Sequence, residues 1–175
     1  VVLFIGVFPL PIGYYTLLES KIIGNDGKVI AIEPSPPNFQ HLKKNLEIQN
    51  TKNVDAYNFA AGDKDGDINF LIYKESNGSF TIPDGETTDL PGEIIKVQAK
   101  RLDTFLDELK INRVDFVRMD VEGYESHIIE GMKKTMELFK PMFQIEVHAS
   151  LLGKDGTKNF LKTFQNFKNS KVFNF

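Results

Sequence analysis

Four ionisable side chains stand at the ends of apolar runs, where a folded strand would deliver them to a pocket. Glu33 closes KVIAIE and is followed at once by Pro34, Asp120 closes VDFVRMD, and Glu146 and His148 close PMFQIEVH. Glu33 also lies 20 residues after Gly13. A carboxylate so placed can accept both hydroxyl protons of a ribose in charge-assisted hydrogen bonds, each contributing about 1.5–3 kcal/mol. A solvated strand-end glutamate shares that spacing. The ribose reading gains weight from Gly6 and Gly13, where backbone can approach a ligand closely, although each glycine also reads as an ordinary turn.

Between those glycines runs Val7-Phe8-Pro9-Leu10-Pro11-Ile12. The two prolines donate no N–H, and no G-x-G-x-x-G pattern is present, so a pyrophosphate would find few partners. NAD and FAD are therefore disfavoured, and an NAD-dependent oxidoreductase stands as a third reading. A ligand with ribose and adenine but no phosphate fits better. At the other end of such a site, Asp120, Glu146 and His148 are candidate bases for activating a hydroxyl. Asp120 would be partly desolvated at its strand end, and it reads equally as a cap for the turn that follows. Together with Glu122 these residues could hold a divalent cation, but no spacing rule supports that, and no metal site is expected. His41 and His127 read as surface residues on helices.

The elements that must position these groups follow from periodicity. Strands are expected at residues 1–5, 28–33, 54–60, 94–97, 114–119 and 141–147, with a half-exposed one around Ile68, Phe70 and Ile72. Helices are expected at 14–22 (Tyr15, Leu18 and Ile22 near one face), from Ser35-Pro36 (Phe39, Leu42, Leu46), at 102–109, at 124–139 and around 160–167. The polar stretch from Lys74 to Gly92 reads as an irregular loop suited to recognising an acceptor, and Lys171 to Phe175 as the start of a strand. Strand and helix alternate, which predicts an α/β three-layer sandwich around a mostly parallel, doubly wound sheet. Ligands bind such sheets beyond the carboxyl ends of the strands, where the strand order reverses.

The 175 residues suit one domain spanning 1–175, with neither repeats nor linkers. A net charge of -3 provides no broad field for nucleic acid, and the lack of cysteine excludes disulfides and thiolate chemistry. The apolar opening VVLFIGVFPLP reads as a buried first strand, too short to cross a bilayer and without the basic residues of a signal peptide. A cytoplasmic setting is expected.

The stretches IGYYTLL, KVIAIEPSPPNFQHLKKNLE, FAAGDKDG, RLDTFL, VDFVRMDVEGYE and PMFQIEVH resemble, in order, the FkbM family of S-adenosylmethionine-dependent methyltransferases. The resemblance implies a class I, Rossmann-like methyltransferase domain, truncated at both ends relative to the family, and methylation of a hydroxyl on a small molecule or glycan. It implies that Gly6, Gly13 and Thr16 hold the methionine end of S-adenosyl-L-methionine. Glu33 and Pro34 would hold the ribose, Ala61, Gly62 and Asp63 would border the adenine, and Asp120 would face the sulfonium or the acceptor. No nucleic acid and no stable membrane insertion are expected, and homo-oligomer formation is left open. The first motif departs from the family's D-x-G-A-N-x-G: Phe4 stands at the aspartate, and Phe8-Pro9-Leu10-Pro11 replaces the asparagine. A catalytically impaired scaffold acting through protein contacts is the alternative this departure motivates.

Overall fold

The structure is a computed structural model that describes residues 2–6, 13–73, 79–147 and 149–165. Its centre is a five-stranded parallel sheet in the order β3-β2-β1-β8-β9. These strands are Val54–Tyr57 (β3), Val29–Ile32 (β2), Val2–Gly6 (β1), Phe116–Asp120 (β8) and Met142–Ile145 (β9). The chain first builds from β1 towards β3 and later resumes on the other side of β1. The order thus reverses between β1 and β8, where Gly6 and Asp120 are register partners.

Burial explains why β2 is a strand. Val29 and Ala31 pack on one face with Leu42 and Leu46, while Ile30 and Ile32 enter the larger core on the other face. A short apolar run buried on both sides is what a central parallel strand requires. The first face is covered by α1 (Tyr14–Ile23) and α2 (Pro36–Ile48). Helix α2 begins well: Ser35 is its N-cap and Pro36 occupies the first turn, where a missing N–H costs nothing. Gly13 precedes α1 with φ 87°, and a Cβ there would lie 2.8 Å from Leu42 Cδ1. Glycine is required on both counts.

The expected strand at 54–60 is two strands. It breaks at Asn58 and Phe59, and Ala60–Gly62 (β4) enters a second sheet of order β4-β7-β5-β6. Here Glu93–Arg101 (β7) runs parallel to β4 and antiparallel to Gly66–Ile72 (β5), which pairs with Ser79–Ile82 (β6). Strand β6 falls inside the stretch expected to be irregular. Hydrogen bonding to β5 places it there, and Ser79, Thr81 and Ile82 are buried despite their mixed polarity. Ile68, Phe70, Val97 and Ala99 share the larger core with Ile30, Ile32 and α3 (Leu102–Glu108), so the two sheets form one hydrophobic unit.

The long helix expected at 124–139 is also divided, into α4 (Glu125–Glu130) and α5 (Lys133–Phe139). At the break, a Cβ on Gly131 would lie 1.8 Å from the Gly62 carbonyl oxygen, so the two backbones touch. Asp103 restarts the helix by accepting hydrogen bonds from the amides of Lys134 (3.0 Å) and Thr135 (2.8 Å) and from the Thr135 hydroxyl (2.7 Å). Its own N–H donates to the Gly131 carbonyl at 3.0 Å. The aspartate of RLDTFL is thus a helix cap. The last helix, α6 (Ala149–Gln165), starts earlier than its phenylalanines suggest, and Phe160 joins the large core. The expected strand at 171–175 lies outside the described residues, among which no helix is long and apolar enough to cross a membrane.

Gly131→Ala is expected to lower the unfolding free energy by about 3 kcal/mol or more, because neither backbone at the contact is a movable side-chain end. Urea denaturation measures this, and a loss below about 0.5 kcal/mol would show that the two segments part freely.

Candidate functional site

The carboxyl ends of β2, β1 and β8 lie side by side and bring Glu33, Gly6 and Asp120 to one edge of the sheet. Glu33 is 3% exposed. Its Oε1 accepts the Ser35 amide at 2.8 Å, while its own amide donates to the Tyr57 carbonyl at 3.0 Å. The Asn58 side chain donates to the carbonyls of Glu33 (2.8 Å) and Pro34 (3.0 Å), so Pro34 is held as firmly as its neighbour. Phe105 sets this corner through edge-on contacts with Tyr57 and Phe59 at ring centroid distances of 4.8 and 4.7 Å. Asn58 was not singled out in the sequence. Its position between a strand end and the turn into β4 gives it the role.

Burial pushes the Glu33 pKa up to about 8, opposed by the Ser35 amide and the Asn38 side chain. Such a carboxylate gains more than an exposed one from hydroxyl donors, which favour its ionised form.

The N-terminal end of α1 supplies the second part of the site. Thr16 is fully buried, and its Oγ1 has no hydrogen-bond partner. Glu19 and Ser20 are also buried, whereas Leu18 is 38% and Ile22 73% exposed. The inward side of α1 is therefore mixed: Tyr15 packs inward as expected, with Leu17 and Ile23, but Leu18 and Ile22 face outward and Thr16, Glu19 and Ser20 are buried in their place. The physical reason is a long-range ion pair. Arg118 on β8 donates through Nε to Glu19 Oε1 at 2.6 Å, and its guanidinium lies 4.3 Å from the centre of the Tyr15 ring. Burial raises the Glu19 pKa, and Arg118 works against that shift. An unpartnered buried hydroxyl on the first turn of a helix suits a polar ligand end.

Asp120 ends β8 and leads into a tight turn in which Glu122 (φ 51°) and Gly123 (φ 94°) adopt left-handed conformations. The buried Glu125 accepts the Gly123 amide at 3.1 Å, closing the turn. Glu146 is exposed just beyond β9, and its amide donates to the Met119 carbonyl at 2.9 Å, beside the end of β8. His148 lies outside the described residues. Among those residues no cluster of three or more metal-type side chains has ligating geometry.

Ala61 and Gly62 are buried in β4, and the Tyr124 ring covers Gly62 at 3.4 Å from where a Cβ would be. Asp63 follows, with its Oδ2 3.0 Å from Nδ1 of His127. His127 is thus a paired, half-buried residue, not the solvated one its polar neighbours suggest. Its ring stacks on Tyr124 at 4.3 Å and 14°. Burial alone would raise the Asp63 pKa, but His127 and Lys64 outweigh it and hold the carboxyl below its ordinary value. Burial, with the Asp63 charge behind it, pushes the Tyr124 phenol well above its usual range.

Residues 9–170 match the Methyltransferase FkbM domain. The chain belongs to the FkbM methyltransferase family. A relative called Methyltransferase 1, from Beauveria bassiana, is 26% identical over 137 residues, covering 69% of this chain and 55% of its own. Hexuronic acid methyltransferase AglP from Haloferax volcanii is 24% identical over 139 residues, covering 78% of this chain and 54% of its own. The chain thus spans about half the length of these curated relatives. A crystal structure of Methyltransferase FkbM from Methylobacillus flagellatus superposes with a TM-score of 0.59 at 17% identity, over 91% of this chain and 36% of that one. It supports the α/β, class I-like fold.

The raised Glu33 pKa fixes a pH dependence. The folded state holds this proton more tightly than the unfolded chain, so stability is greatest below pH 4.5 on this group's account and is lost as pH rises through about 8. For the ligand-free protein the total is about 5 kcal/mol. Glu33→Gln should flatten the stability profile over that window, as followed by urea unfolding at stepped pH. An unchanged slope would mean that the carboxyl is not buried in solution.

Proposed function

We propose that this FkbM domain binds S-adenosylmethionine across the carboxyl ends of β2, β1 and β8 and transfers its methyl group to a hydroxyl of a small molecule or sugar. The single observation that carries this reading is Glu33: a carboxylate that is 3% exposed, held by backbone at a strand end and placed beside the order reversal. A ribose diol is the ligand group whose two donors best repair such a carboxylate. The finer architecture we infer is the doubly wound, three-layer arrangement of class I methyltransferases.

Each residue then has a role in binding or orientation. Glu33 accepts the two ribose hydroxyls, and Pro34 directs the chain away from them. Gly6 and Gly13 allow close backbone approach, while the Thr16 hydroxyl and the first amides of α1 take the methionine end. Ala61, Gly62 and Asp63 border the adenine side. Asp120 faces the sulfonium and the acceptor, with Glu146 at the next strand end, and His148 is kept as a candidate base on its place in the sequence, two residues after Glu146. When bound, the cofactor supplies an electrophilic methyl. The chain's own contribution is to align an oxygen with it and to exclude water. The name of the Haloferax volcanii relative motivates polyhydroxylated acids such as uronic acids as the first acceptors to screen.

Calorimetry with S-adenosylhomocysteine tests the reading. The wild type should bind, and folded Glu33→Ala should bind at least about 30-fold more weakly, since charge-assisted bonds are lost. NAD should produce no heat. Absence of any S-adenosylhomocysteine binding by the wild type would remove the proposal.

A further inference from the structure

Asn38, in the first turn of α2, is 8% exposed, and its Nδ2 makes no hydrogen bond. The same side chain helps to draw the Glu33 pKa down against burial, so it lies beside that carboxylate. We propose that Asn38 is a specificity-determining residue of the cofactor site: its side-chain amide donates to the oxygen of one ribose hydroxyl, the one whose hydrogen Glu33 accepts. This rests on the methyltransferase reading above and adds to it a residue that neither strand periodicity nor the family match assigns.

The local backbone explains both the position of the amide and its lack of a partner. Leu42, four residues on, packs with Val29 and Ala31 of β2, so the same helix face delivers Asn38 to that strand's end. The start of a helix presents N–H groups and no free carbonyls, so a side-chain donor finds no backbone acceptor there. The nearby side-chain oxygens are engaged: Ser35 Oγ takes the Asn38 backbone amide at 3.5 Å, and Glu33 Oε1 takes the Ser35 amide at 2.8 Å. Pro36 and Pro37 fill the two positions before Asn38 and have no N–H to offer a ligand. In place of those amides, this helix start presents one side-chain donor. Beside a carboxylate the N–H2 end of an amide is the end that is attracted, which fixes how Asn38 is oriented.

The two side chains are complementary to a hydroxyl and to little else. An ionised carboxylate only accepts, and an N–H2 group only donates. A hydroxyl that bridges them gives its hydrogen to Glu33 and receives one from Asn38 on its oxygen. Donation from Asn38 polarises that hydroxyl and strengthens its bond to Glu33, so the two residues act as a unit. A ribose carrying hydrogen at this position satisfies neither group and leaves both buried without it. Sites built to hydrogen-bond a hydroxyl reject a ligand that lacks it much more strongly than an apolar pocket rejects a ligand one methylene short.

Calorimetry with S-adenosylhomocysteine and its 2′-deoxy and 3′-deoxy analogues provides the test. In the wild type, removing the bridging hydroxyl should weaken binding by about 100-fold. Asn38→Ala should bind S-adenosylhomocysteine about 10-fold more weakly, yet bind one of the two deoxy analogues within about 2-fold of the wild type, because the partner of the lost amide is already missing. The analogue that shows this coupling identifies the hydroxyl. A purely structural role for Asn38 would weaken all three ligands alike. Nitrogen-15 spectra of the wild type provide a second reading that needs no folded variant: the Asn38 side-chain N–H2 signal should move downfield with S-adenosylhomocysteine and much less with that analogue. Equal weakening of all three ligands in Asn38→Ala, undiminished binding of S-adenosylhomocysteine by that variant, or an Asn38 signal that responds alike to all three ligands would overturn the proposal while leaving the methyltransferase reading in place. Failure of the wild type to bind S-adenosylhomocysteine would sink that reading, and this inference with it.

Discussion

A carboxylate withdrawn from water is tolerated only where the surrounding structure supplies donors or lets it keep a proton. Glu33 is such a group, and much of the nearby architecture is organised around it. Strand β2 is buried on both faces, so its last side chain emerges at the sheet's end with no lateral freedom. Ser35 orients one carboxylate oxygen, and Asn58 fixes the backbone on either side of Pro34. What remains is a negative or protonated group whose preferred completion is a pair of neutral donors.

The second constraint is the buried polar layer between α1 and β8. Glu19 and Arg118 form a largely dry ion pair whose desolvation cost is offset partly by mutual attraction and partly by the Tyr15 ring. Such a pair contributes less to stability than apolar packing would, yet it fixes how α1 sits over the junction of β1 and β8. The same helix face carries Thr16 one turn closer to the site. Specific orientation of a helix start is what an amide-lined ligand end needs, and an apolar face could slide more easily.

The second sheet ties the far side together. The contact of Gly131 with Gly62, the Asp103 cap on α5 and the Tyr124 ring over Gly62 join β4, α3, α4 and α5. Asp63 and His127 meet because those elements are locked. Gly62 and Asp103 thus have packing roles of their own, a close backbone approach and a helix cap, beside whatever they do for a ligand.

Taken alone, the sequence determined the alternation of strands and helices, the strand ends at Glu33 and Asp120, the glycine before α1 and the helix start at Ser35-Pro36. Each is a local property: apolar period, a proline stop, a cap residue or a backbone conformation that only glycine adopts readily. The tertiary structure decided the rest. It divided the run from 54 to 60 between two sheets, inserted β6 into a polar stretch, broke the helix at Gly131 and turned Thr16, Glu19 and Ser20 of α1 inward. It also paired Asp63 with His127 and Glu19 with Arg118, across separations of 64 and 99 residues. Periodicity reports whether a side chain prefers water or the interior. It carries no information about which distant partner makes a buried charge, or a backbone with no side chain between, the favourable choice.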